Sequence, residues 1–264
     1  MIGFQLTQGM GNNFYQIALT TTQACKLGVP AKFSPSPWMP ASQYAAIFKN
    51  NLDWTFNHEE VKAIYSEPHY HYAPIPIQDG LELRGYFQSP KYFDKEIALE
   101  LFEPRASIID AIKAERSNLL ALAPVSIHVR RGNYIEQSKW HPVHGMDFFN
   151  KAMALFPNRI FVIFSDDMPW CYEQFGGRDD VVFIDHTVCY SEFFAVDFFL
   201  MAMCQDNIIA NSTFSYWAAY LNPNPDHRVI APLPWFGPAY DQHNIKDLLP
   251  REWEIIEAIP WKIG

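Results

Sequence analysis

The sequence predicts an α/β protein with parallel sheets, arranged in two domains. Three observations predict it. Short, continuously apolar runs alternate with helical patterns through the second half, as expected of strands buried on both faces. A strand, a glycine turn and a helix open the first half. The chain has 264 residues and is 49% hydrophobic, enough for one large core or two modest ones.

In order, residues 2–6 read as an apolar strand, Gly9 and Gly11 as a turn, and Asn13 to Leu27 as a helix stopped by Gly28. A strand follows near Val29 to Phe33. Ser34 to Pro40 then breaks the pattern with its prolines, and the stretch to about Pro76 reads as irregular and aromatic. Leu81 to Phe87 is a predicted strand, and Tyr92 to Phe102 and Ala106 to Leu122 are predicted helices. The second helix carries apolar positions at Ile108, Ile109, Ile112, Leu119 and Leu122. After Pro124 the expected strands are Val125 to Val129, Arg159 to Phe164, Val181 to Asp185, Asn207 to Ala210 and Arg228 to Ala231. The expected helices are Asp147 to Phe156, Ser191 to Cys204 and Thr213 to Leu221. The domain boundary is expected near Ala121 to Pro124, giving domains 1–122 and 123–264.

Twenty basic against 29 acidic residues give a net charge of −9, which disfavours nucleic acid as a partner. Aromatics at 16% argue against disorder. Cys25, Cys171, Cys189 and Cys204 lack zinc or redox spacing and read as reduced, small apolar residues. The start lacks the pattern of a signal peptide, and no run reaches the roughly 20 apolar residues of a membrane span. The expected location is the cytoplasm, or at most loosely on a membrane surface.

A parallel sheet places ligands at the carboxyl ends of its strands. There, His128-Val129-Arg130-Arg131-Gly132-Asn133-Tyr134 ends a buried strand with two adjacent arginines, whose forks match phosphate oxygens. Structural salt bridges are the competing reading. In Ala210-Asn211-Ser212-Thr213-Phe214-Ser215 a strand passes into a helix whose N-cap would be Ser212 or Thr213, a start that favours an anion. An ordinary cap explains it too. Asp197, inside an apolar helix, needs donors. Its oxygens match guanine N1–H and N2–H, and an arginine would also satisfy them.

The loop Gly9-Met10-Gly11-Asn12-Asn13 has Phe14 where a dinucleotide fingerprint has its third glycine, so a dehydrogenase reading is weak. Its glycines permit close approach of a ligand. Ser165-Asp166-Asp167 lacks the Asp-x-Asp spacing, and its carboxylates read as caps of the next helix. His69 with His71, and His141 with His144, lack a third ligand in a regular element. No metal site is expected.

Four blocks resemble the α-1,2-fucosyltransferase family, glycosyltransferase family 11. Thr7 to Ala18 is similar to its GGxGNQxFQYA start, Leu83 to Phe93 (LRGYFQSPKYF) to its GYFQSEKYF block, and His128 to Tyr134 to HxRRGDY. Asn207 to Asn222 (NIIANSTFSYWAAYLN) resembles its last signature, and FSDD at Phe164 and PWFG at Pro234 stand where that family has them. The chain departs from the pattern at Asn13 and Asn133.

The resemblance implies a GT-B-like fold, two Rossmann-like domains facing a cleft with the donor domain C-terminal. It implies fucose transfer from GDP-fucose to a galactoside hydroxyl, inverting and independent of metal and cofactor. Arg130 and Arg131 would be catalytic, and His128, Asp197, Asn211, Ser212, Thr213, Phe214 and Ser215 would bind the donor. Gly9, Gly11, Asn12 and Asn13 would face the acceptor, an oligosaccharide or glycolipid ending in galactose. The departures favour, as the alternative, a catalytically weak nucleotide-sugar-binding protein.

Overall fold

The computed structural model describes residues 1–184 and 193–260. The chain divides into two α/β units, each with an all-parallel sheet, and the predicted fold class holds. One unit is Met1–Arg105 with His243–Arg251, the other Ala106–Gln242 with Glu252–Gly264. The division thus falls at 105/106 where the sequence suggested 122/123. The segment 106–122 groups with the second unit because its helix packs against a later helix of that unit.

In the first unit β1 (Ile2–Gln5), α1 (Met10–Leu27) and β2 (Ala31–Ser34) are followed by α2 (Ala41–Ile47), β3 (Ala63–Ser66), β4 (Leu81–Arg84) and α3 (Lys95–Leu101). The sheet order is β2-β1-β4-β3. A Cβ on Gly3 of β1 would meet the Phe56 ring at 2.1 Å, so glycine is what lets that ring lie against the strand. Helix α1 starts three residues before its predicted start. The Gly9 carbonyl accepts from the Asn12 and Asn13 amides at 3.0 and 3.1 Å, which places Gly11, Asn12 and Asn13 in the first helical turn and not in a loop. Gly28, at φ 66°, closes the helix as expected.

Strand β4 stops at Arg84 because Gly85 turns to φ 148°. The predicted helix from Tyr92 is a 3-10 turn at Pro90–Tyr92 followed by the shorter α3. The stretch read as irregular contains α2 and β3. β3 alternates half-buried and exposed residues, as an edge strand does.

The second unit runs α4 (Ala106–Leu120), β5 (Val125–Val129), α5 (Met146–Met153), β6 (Phe161–Ser165), α6 (Met168–Phe175) and β7 (Val181–Phe183). It continues with α7 (Phe193–Met203), β8 (Asp206–Ile208), α8 (Thr213–Tyr220), β9 (Val229–Leu233) and β10 (Glu254–Glu257). Asp185, Cys189 and Ser191 lie outside the described residues. Of the apolar positions read on α4 only Ile112 is buried, and Leu122 beyond the helix is exposed.

The sheet order is β10-β9-β8-β5-β6-β7. The chain therefore builds outward from β5 in one direction and then, from β8, in the other. The carboxyl ends of β5 and β8 flank the point where the order reverses, the place where open parallel sheets form a crevice. All five residues of β5 are buried, and Val125, Ile127 and Val129 pack with Phe148 and Phe149 of α5 and Phe175 of α6. At hydrophobic transfer values, burial of side chains this size contributes about 1.5–3 kcal/mol each, so the sheet edge rests on a firm base. Asn207 of β8 donates to the Ser126 hydroxyl of β5 at 2.7 Å, locking the two strands in register. Among the described residues no helix is long and apolar enough to cross a membrane.

Candidate functional site

The register of β5 on β6 pairs Val129 with Ser165, which sets the two residues after each strand side by side. Arg130 Nη1 pairs with Asp166 Oδ2 at 2.7 Å, and Arg131 Nε with Asp167 Oδ2 at 2.9 Å. The Arg131 amide also donates to Asp166 Oδ1 at 2.8 Å. A Cβ on Gly132 would meet Asp166 Oδ2 at 2.4 Å, so the absence of a side chain there admits the carboxylate. Asp167 additionally caps α6, accepting from the Trp170 amide at 3.2 Å. The salt-bridge reading of the arginines and the capping reading of Asp167 are both part of the structure.

The two arginines are not equivalent. Arg131 is 8% exposed, its guanidinium 4.3 Å from the Trp170 ring, and its Nη1 is buried without a hydrogen-bond partner among the described residues. The Arg130 side chain is 31% exposed and lies 5.0 Å from the Tyr134 ring. Its Nη2 donates to Asn133 Oδ1, so the asparagine at the departure from the family pattern serves as an acceptor that orients the guanidinium.

Across the reversal point, β8 leads through Asn211 into α8. Ser212 is the N-cap, accepting from the Phe214 amide at 3.3 Å, and Thr213 begins the helix. The remaining free amides of this first turn and the helix dipole favour a negative charge there. Asn211 is buried, its Nδ2 donating to the carbonyls of Pro142 and Trp235 at 3.0 and 3.1 Å. Ser215 is buried and donates within its own turn, to Ala210 and Ser212. The polar groups of Asn211 and Ser215 thus hold the loop in shape.

Two contacts join the halves of the site. The His128 ring lies 5.8 Å from that of Phe214, and the Tyr134 hydroxyl donates to the Asn211 carbonyl at 3.3 Å. Burial, reinforced by the Arg130 charge, pushes His128 down to about 3, so the ring is neutral near pH 7; its Nδ1 is buried without a partner among the described residues. Burial lowers His141, which stacks on Tyr134 at 4.5 Å, and takes His144 down to about 4. Phe214 also packs against Phe198 of α7, the helix that carries the half-buried Asp197 one position earlier.

Sequence reasoning singled out both loops but missed the residues that brace them: Tyr134, Asp166 as an arginine partner, and Trp170. The adjacent Arg-Arg and Asp-Asp pairs at two successive strand ends are the signal that could have found the carboxylates.

In the first unit the residues predicted to face an acceptor differ in role. Gly9 is exposed and is the backbone cap of α1. Gly11 is buried, as is Asn13, whose Nδ2 donates to the Thr7 carbonyl at 2.6 Å and whose Oδ1 accepts from Ser36 at 2.9 Å. Asn13 therefore stitches the turn together. Asn12 is half-buried and accepts from Gln88 Nε2 at 2.7 Å.

A family model described as glycosyl transferase family 11 matches residues 46–257. The chain is 34% identical over 195 residues to an alpha-1,2-colitosyltransferase of Escherichia coli, covering 69% of this chain and 64% of that protein. It is 32% identical over 181 residues to the O-antigen biosynthesis glycosyltransferase WbnK of Escherichia coli, covering 62% and 58%. Against galactoside alpha-(1,2)-fucosyltransferase 1 of Oryctolagus cuniculus the identity is 33% over 129 residues, 46% and 34% of the two chains. The chain thus spans less than two thirds of the length of these relatives. Its fold is shared with NodZ alpha-1,6-fucosyltransferase soaked with GDP-fucose, at TM-score 0.55 and 15% identity over 86% of this chain and 97% of that one. It is shared also with POFUT1 in complex with GDP, at TM-score 0.52 and 10% identity over 87% and 97%.

Proposed function

This chain belongs to glycosyl transferase family 11, and we propose that it moves fucose from GDP-fucose onto a galactoside hydroxyl, forming an α-1,2 linkage with inversion and without a metal. The observation that carries this reading is the pairing of two anion-favouring features, the Arg130 guanidinium and the α8 start, on either side of the reversal point of one parallel sheet.

In this reading Arg130 meets the β-phosphate as charge builds on the departing GDP, and the Ser212 and Thr213 turn adds neutral donors. Asp166 and Asn133 hold two of the guanidinium's nitrogens, so the fork meets the phosphate already oriented. Arg131, buried against Trp170 and tied to Asp167, positions the loop. The fucosyl carbon develops cationic character, balanced by the retained diphosphate. The acceptor oxygen attacks the opposite face, the C1–O bond to phosphate breaks, and the hydroxyl proton is lost to solvent. His128 and Asp197 grip the nucleoside, with Asp197 on the guanine N1–H and N2–H.

The similarity to an alpha-1,2-colitosyltransferase favours a second reading in which the transferred sugar is colitose. Both readings share a guanine nucleotide. Calorimetry tests that shared step: GDP is expected to bind roughly 10- to 100-fold more tightly than ADP or UDP, because adenine and uracil do not offer the adjacent N1–H and N2–H donors that one carboxylate can accept together. Equal affinities for GDP and UDP would sink the assignment of Asp197.

A further inference from the structure

In the first unit the sheet order β2-β1-β4-β3 sets β1 and β4 side by side at the centre, so the segments that follow these two strands are neighbours at the carboxyl edge. A network of side-chain amides joins those loops. Gln16 Nε2 donates to the Gly85 carbonyl and to Thr7 Oγ1, both at 3.0 Å, and its Oε1 accepts from the Thr7 amide at 3.1 Å. Asn13 is consumed in the same way. Gln16 and Asn13 thus have their hydrogen-bonding capacity spent on holding the loops.

The pair Asn12 and Gln88 differs. Gln88 Nε2 donates to Asn12 Oδ1 at 2.7 Å, bridging the first turn of α1 and the segment after β4. Gln88 is 7% exposed, and its Oε1 is buried with no partner among the described residues. An orphaned buried acceptor forfeits its hydration with nothing in return, a cost that an apolar side chain of similar shape would not incur. Folding alone therefore does not account for a glutamine here.

The backbone that carries Gln88 is held in a costly conformation. Phe87 sits at φ 53°, unusual for a bulky residue, next to Gly85 at φ 148°. The half-buried Glu67 clamps this turn, its Oε2 accepting from the Tyr86 and Phe87 amides at 2.8 and 2.9 Å. A Cβ at Gly85 would meet the Glu67 Cβ at 2.4 Å. Strain of this kind persists where surrounding structure over-determines it, and it concentrates at ligand clamps.

We propose that Gln88 is a positioning residue for a hydroxylated sugar bound at this edge. By donating to Asn12 Oδ1 it fixes the amide of the half-buried Asn12, leaving Asn12 Nδ2 as a donor for a sugar hydroxyl oxygen. An unheld asparagine presents its oxygen and its nitrogen with similar ease. The held one presents nitrogen alone. The proposal rests on the glycosyltransferase reading for the identity of the sugar, a β-galactoside acceptor.

Two variants test it in this chain. Gln88→Glu keeps a hydrogen bond to Asn12 but reverses its direction, since a carboxylate only accepts; Asn12 then presents its oxygen. Gln88→Met keeps the shape, removes the orphaned acceptor and frees the Asn12 amide. For both, thermal unfolding and GDP affinity serve as checks of folding, and Gln88→Met is expected to melt no earlier than wild type. The expected result is a rise of about tenfold in KM for methyl β-galactopyranoside with kcat changed less than about threefold. Saturation-transfer NMR of the same galactoside without donor should show the same weakening. Transfer with unchanged acceptor KM in both folded variants would overturn the inference and leave the donor reading intact. An inactive wild type that still binds the galactoside in a Gln88-dependent way would do the reverse. A wild type that shows no saturation transfer to the galactoside overturns the inference as well.

Discussion

Arg130→Lys is expected to lower kcat/KM for the proposed sugar transfer by roughly 30- to 150-fold, equivalent to about 2–3 kcal/mol of transition-state stabilisation. Charge is conserved in this substitution, so the loss comes from geometry. The guanidinium meets Asp166 through Nη1, Asn133 through Nη2 and the face of Tyr134 at once, and a planar fork can do this while still directing N–H groups at phosphate. An ammonium on a flexible stem keeps one of these contacts and loses the orientation of the rest. Circular dichroism should remain native, because Arg130 is partly exposed and lies outside the core. Normal turnover by the lysine variant would reduce Arg130 to a structural salt bridge. Asn133→Asp, assayed alongside, is expected to change the rate less than tenfold, since aspartate and asparagine both offer Arg130 an oxygen.

The fold should lose roughly 3–4 kcal/mol of stability between pH 7 and pH 5 from two buried histidines. His128 titrates at about 3 and His144 at about 4 in the native chain, both pushed down by burial, against about 6.5 in the unfolded chain. Below pH 6.5 the unfolded state therefore binds more protons than the native state, and stability falls with falling pH by about 1.4 kcal/mol per unit for each group. The decline runs down to the native values and is absent above pH 7. Glu67 acts in the opposite sense: burial raises its carboxyl, so its contribution grows as pH falls. Urea unfolding at a series of pH values checks this. His128→Gln should remove about half of the slope. A wild-type midpoint that is flat from pH 7 to pH 5 would mean these histidines are protonated in the fold.

How much was legible in the sequence follows from how local each signal is. Val125 to Val129 was placed to the residue because a strand buried on both faces is a continuous apolar run with a proline before it and arginines after. Thr213 starts α8 as expected because Ser212 is a strong cap between a strand and an apolar helix. β3 and β10 were missed because edge strands of four half-exposed residues carry no such run. Asn211 and Asn13 illustrate a different blindness. Each resembles a ligand-facing asparagine in a motif, yet each is consumed by carbonyls or side chains elsewhere in its unit, partners 69 and 24 residues away for Asn211. Gln88, lying inside a block read only for its likeness to a family pattern, became conspicuous through its unsatisfied oxygen and its tie to Asn12.

The reaction proposed for this chain is transfer of fucose from a guanine diphosphate sugar without a metal. Its most direct test is mass spectrometry of the full chain incubated with GDP-fucose and a panel of β-galactosides, with and without EDTA, and with the corresponding colitosyl donor in parallel. The expected product is a galactoside heavier by one fucosyl unit, formed equally in EDTA, with its new linkage at the 2-hydroxyl. Product with the colitosyl donor alone would move the assignment to that sugar. No product from either nucleotide sugar, by a chain that is folded and binds GDP, would rule out the transfer and leave a nucleotide-sugar-binding protein.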